Sequence, residues 1–209
     1  MSDSVGSETG EPETTEEANL EEEVEEEFEE EVAEAAEEEE IFGALTEVQD
    51  KTFDDIRLPS DMVAEVQGTW SAFLNGASSR DAAGEAIYGA IYDSAPSLQS
   101  LFKTPRAVMA MRIMGGLNNI VVAMHTPVAL KTVVETLGFQ HLDLDVTVPR
   151  VIIFRDALVE LLEMELGSRF TSNAKGGWRS ILNYVGGAYI YVRREYAGRL
   201  KIIASSWGR

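Results

Sequence analysis

The chain has 209 residues, no cysteine, two histidines and a formal net charge of −20. With no thiol there is no disulfide and no thiolate metal centre, and two imidazoles cannot close a metal cluster made of protein ligands alone. So acidic a balance also argues against nucleic-acid binding, which needs a basic footprint.

The charge is unevenly placed. Residues 1–58 hold 24 acidic and 2 basic side chains, whereas residues 59–209 hold 13 and 15. The expected organisation is therefore an acidic low-complexity tail over 1–58 and a near-neutral domain over 59–209. A body of about 150 residues can bury roughly 68–70% of its unfolded surface. The N-terminus has no charged start followed by an apolar stretch, and no apolar run has spanning character. The expectation is a cytoplasmic protein with no membrane span.

In the tail, residues 1–19 are rich in Ser, Thr, Gly and Glu and are expected to be disordered. Over 20–40, Leu20, Val24, Phe28, Val32 and Ala36 recur every four residues, a narrow helical stripe. Glu21, Glu25 and Glu29, and Glu22, Glu26 and Glu30, repel at the same spacing. A helix here is marginal at neutral pH and gains on a basic partner. That partner is either another protein or the chain's own Arg193, Arg194, Arg199, Lys201 and Arg209.

From residue 60 the apolar period is helical throughout. Ser60 and Asp61 precede Met62, Val63, Val66, Trp70, Phe73 and Leu74, which predicts a capped amphipathic helix. A second begins at Ser79-Arg80-Asp81, with Ala83, Ile87, Ile91 and Tyr92 inward, and ends at Ala95-Pro96. Pro105 opens a third, through Met109, Ile113, Leu117, Ile120 and Met124, which stops near Pro127. Residues 128–141 give a fourth. Pro149 opens a fifth, with Phe154, Leu158, Leu161 and Leu162 on one side and Gly167 as its C-terminal cap. Thr171 or Ser172 begins a last long helix through Trp178, Ile181, Leu182, Val185 and Ile190. Residues 151–154 would suit a strand in isolation, but nothing nearby would pair with it. The paired glycines Gly115-Gly116 and Gly186-Gly187 fit close helix crossings; no strand precedes either, so neither is a phosphate loop. The fold class is all-α, with irregular connections unlike a simple four-helix bundle.

His141 ends the fourth helix, and Leu137 shares its face one turn earlier. One imidazole on an apolar face can hold an iron that brings its other ligands with it. The segment 86–102, AIYGAIYDSAPSLQSLF, resembles the second helix and following corner of globins, above all the microbial flavohemoglobins and neuroglobins. The stretch 137–141, LGFQH, is similar to that family's proximal-histidine stretch, and Leu161, Leu162, Leu166, Gly167 and Trp178 match its last two helices. The resemblance covers about residues 60–200.

It implies a globin-like fold of six to eight helices that binds heme b and, through its iron, O2, NO or CO. His141 would be the proximal iron ligand, with Leu137 beneath the ring and a carbonyl such as that of Leu137 fixing the imidazole tautomer. Phe102 would pack on the porphyrin. Tyr88 would hydrogen-bond an iron-bound ligand, with Ile113 and Met109 at distal positions. Arg112 and Lys103 would meet the propionates. His125, beside Pro127, reads as a structural or solvent-facing residue. Met109 departs from the family pattern, because a thioether cannot donate a hydrogen bond; Met109 or Met111 as a direct iron ligand is the alternative. Flavohemoglobin-like relatives carry a proximal Tyr and Glu where this chain has Val151 and Arg193. An enzymatic role as a nitric oxide dioxygenase or peroxidase-like oxidoreductase would therefore lean on an external reductase. A heme-free globin-fold interaction module, its tail docking a partner, is the remaining reading.

Overall fold

The computed structural model of the protein describes residues 45–95 and 104–207. Pro96, Phe102, Lys103 and the tail segment 1–44 lie outside the described residues. Every regular element among the described residues is helical: α1 (Ser60–Gly76), α2 (Arg80–Ser94), α3 (Arg106–Ala123), α4 (Pro127–Gln140), α5 (Val148–Leu166), a 3-10 turn (Gly167–Arg169) and α6 (Ser172–Trp207). None is long and apolar enough to cross a membrane. Residues 151–154 form the first turns of α5 rather than a strand.

Local chemistry sets most boundaries. The Ser79 side chain caps α2 by accepting from the Ala82 N–H at 3.0 Å. The Thr171 hydroxyl does the same for α6 through Ala174 N–H. Gly167 ends α5 with φ 55°, a left-handed conformation that costs a glycine least. The expected Ser60 cap is absent. Pro59 occupies the cap position, Ser60 is already helical, and no side chain bonds the first turn. The last helix runs to Trp207, well past Ile190. No proline interrupts it, and Gly198 alone does not stop a helix already nucleated.

The packing is a crossed arrangement. α2 lies on α3 and α5, α4 on α3 and α6, and α1 and α5 on α6. At the α2–α3 crossing, a Cβ on Gly84 would meet the Ala110 carbonyl oxygen at 3.1 Å, so the missing side chain lets the two backbones touch. Trp178, 1% exposed, donates its indole N–H to the Thr69 hydroxyl at 3.0 Å and lies 5.8 Å from Trp70. That satisfies the polar end of an otherwise apolar core.

Residues 45–58 form no helix, yet they are strapped along α6. Asn183 donates to the carbonyls of Leu45 and Thr46 at 2.9 and 3.0 Å, and the Tyr184 hydroxyl donates to the Asp54 carbonyl at 2.9 Å. Arg194 holds the carbonyls of Asp50 and Lys51, and Asp55 pairs with Lys131 of α4 at 2.9 Å. By charge these residues group with the acidic tail; by packing they belong to the helical body.

Candidate functional site

The body contains a cleft of about 1280 Å³, walled by α3 and α4 and backed by α5 and α6. The α3 wall is Met109, Arg112, Ile113, Gly116, Leu117 and Ile120. These positions recur at three- and four-residue spacing, so one helix face makes the wall. Facing them are Val133, Thr136, Leu137, Gln140 and His141 of α4. Val151 and Phe154 of α5 and Leu182, Val185 and Tyr189 of α6 close the back. Gly115 and Gly116 also line the cleft, where their lack of side chains widens it rather than making a tight crossing. The other pair, Gly186-Gly187, does mark close contacts, with Val151 and with the backbone of Gln49.

His141 sits at the C-terminal end of α4, where its N–H donates to the Gly138 carbonyl at 3.0 Å. Its Nδ1 lies 2.6 Å from the Leu137 carbonyl oxygen. The carbonyl can only accept, so Nδ1 carries the hydrogen and Nε2 keeps its lone pair. This bond is the tautomer-fixing contact that the spacing of Leu137 and His141 suggests. On its other side the imidazole stacks on Tyr189, with ring centroids 4.5 Å apart and planes 24° from parallel.

Burial pushes the His141 pKa below its ordinary value, and the Leu137 bond opposes that shift. The unfolded chain takes up a proton near pH 6.5 while the folded chain stays neutral, so stability is full above about 6.5 and falls as pH drops toward the folded value. In heme-free protein the urea midpoint should therefore fall between about pH 7.5 and 5.5 by more than it does in His141→Gln. Equal slopes in the two proteins would contradict this.

The structure brings together five of the seven implied site residues, His141, Leu137, Ile113, Met109 and Arg112, around one cleft. Arg112 is exposed at the edge of the cleft and forms no ion pair among the described residues. Met111 is 39% exposed and is not among the lining residues. His125 is exposed, as its place beside Pro127 suggests. Tyr88 is not among the lining residues. It is 3% exposed, stacks on Tyr92 at 4.8 Å and lies under the Arg106 guanidinium. Burial and a hydrogen bond with Tyr92 push its pKa up to about 12. The Gly84–Ala110 crossing is the reason, since it seats α2 so that Tyr88, one turn later, meets the first turn of α3. Phe102 lies outside the described residues.

Arg193 is paired with Asp145 at 2.8 Å rather than with His141, and Val151 presents only methyl groups. Tyr189, Thr136 and Gln140 are site residues that the sequence reading passes over. Tyr189 carried a signal, because it continues the spacing of Leu182, Val185 and Gly186 along α6. Among the described residues no three His, Cys, Asp or Glu side chains gather as a metal-binding group.

No curated protein sequence matches the chain. The family model for globins matches residues 85–189, about half of the chain, from the middle of α2 to Tyr189. That span carries both helices that wall the cleft, and the protein therefore belongs to the globin family, whose members typically bind heme and diatomic gases.

Proposed function

We propose that this globin would hold a b-type heme between α3 and α4 with His141 as the protein ligand to its iron, and bind O2, NO or CO for storage, sensing or scavenging. The observation that carries the reading is the His141 ring, which lines an apolar cleft with Nδ1 committed to the Leu137 carbonyl. Nε2 is then the nitrogen left for a metal, and burial keeps it unprotonated. Ile113 and Leu117 on one wall and Val133 and Leu137 on the other suit a flat apolar disc. Arg112 suits a propionate at the edge. Bound heme would supply the iron to which a diatomic gas binds.

The chain's own residues favour binding over turnover. Met109 offers no hydrogen to a bound ligand, and Tyr88 is engaged with Tyr92 and is not among the residues lining the cleft. Neither Val151 nor Arg193 makes His141 more anionic. A dioxygenase activity would need an external reductase as partner.

Reconstitution with hemin followed by an absorption spectrum tests the proposal. A Soret band that His141→Ala abolishes is expected. A colourless wild type, or a band indifferent to His141→Ala, overturns the assignment and leaves the heme-free interaction module.

A further inference from the structure

We infer that Tyr189 is a positioning residue for His141: its ring sets the plane in which the imidazole faces the cleft. The inference rests on the heme reading for its consequence, but its geometry stands alone.

An imidazole at a helix end turns about two side-chain bonds. The bond from Nδ1 to the Leu137 carbonyl fixes which nitrogen points back along α4. It leaves the ring free to rock about that contact. The Tyr189 ring removes this freedom, because it lies nearly parallel to the imidazole at 4.5 Å. Its own place is well determined. Ala188 and Val192, on either side along α6, are 1% and 0% exposed. A Cβ on Gly138 would meet the Val192 side chain at 3.3 Å, so the absent side chain lets Val192 of α6 press against the α4 backbone three residues before His141. That contact fixes the gap into which the two rings fit. Both rings line the cleft, so a ligand meets an imidazole already oriented. The Tyr189 hydroxyl makes no hydrogen bond among the described residues, which assigns the role to the ring rather than to the phenol oxygen. Hydrogen-bonded partners that orient a ligating histidine are worth about 10- to 100-fold in affinity, and a stacked ring should fall at the lower end of that range.

The test uses the full chain with Tyr189→Phe and Tyr189→Leu. In heme-free protein, the carbon-bound protons of the His141 ring should sit upfield in the proton NMR spectrum because they lie over the Tyr189 ring. Tyr189→Phe should keep that shift and Tyr189→Leu should abolish it. In protein reconstituted with hemin, Tyr189→Leu should speed heme loss to apomyoglobin about tenfold and move the ferrous iron–histidine stretch, with Tyr189→Phe close to wild type. If both variants match wild type, or if Tyr189→Phe behaves like Tyr189→Leu, the inference is wrong. If Tyr189→Leu fails to fold, the wild type decides, since an absent cross-relaxation signal between the two rings overturns the stacking. A wild type that takes up no heme while keeping the upfield shift refutes the heme proposal and leaves the positioning intact.

Discussion

Replacing Asn183 with leucine should lower stability by roughly 3 kcal/mol, although the two side chains are close in size. Asn183 is 0% exposed and uses its whole amide. Its oxygen accepts from Arg155 Nη1 at 2.9 Å, and its nitrogen donates to the carbonyls of Leu45 and Thr46. Arg155 is itself only 7% exposed and among the described residues would keep the Asp156 carboxylate alone, held by Nε at 2.8 Å. The larger part of the cost is thus a guanidinium left partly unsolvated, and the smaller part is the loosened strap. A shift in urea midpoint at unchanged slope would report it, and faster proteolysis within residues 45–58 would report the strap. A loss below about 1 kcal/mol would show that water replaces the amide at no great cost, against the burial seen here.

The second large effect concerns Gly186. In an exposed helix, glycine to alanine stabilises by up to about 1 kcal/mol. At Gly186 the sign should reverse, because the new Cβ would overlap the Val151 side chain, lying 2.7 Å from Cγ2. Overpacking of this kind costs about 1–3 kcal/mol. Gly198, on the same helix with nothing within 4 Å of its would-be Cβ, is the control and should stabilise when changed to alanine. Val151→Ala combined with Gly186→Ala should recover much of the loss, since it deletes the overlapping methyls. Gly186 and Val151 also line the cleft, so the single variant should weaken heme uptake as well. A Gly186→Ala protein as stable as Gly198→Ala would mean that α5 and α6 slide apart freely.

The helices themselves were legible in the chain. Each of the six has an apolar face at three- and four-residue spacing, and Ser79, Pro105, Pro127, Thr171 and Gly167 mark its ends through contacts only a few residues long. The α4 half of the site was legible for the same reason, because Leu137 and His141 are one turn apart and their bond is local. What could not be read were the contacts between segments distant in the chain. Residues 45–58 look like tail because their charge is acidic. Their place on α6 depends on Asn183, Tyr184 and Arg194, about 130 to 144 residues away. Tyr88 has the right residue type for a ligand donor, but it stacks on Tyr92 of its own helix and lies under Arg106 of α3, a contact between helices that no local pattern shows.

The sequence by itself therefore determined an all-α body and a histidine able to face an apolar surface, since periodicity and caps act over one turn; the globin reading came from the resemblance of segments 86–102 and 137–141. Only the tertiary structure decided which side chains surround that histidine. Tyr189 reaches it from a helix 48 residues further along the chain, and that meeting follows from the close approach of α4 and α6 at Gly138 and Val192, which no local pattern encodes.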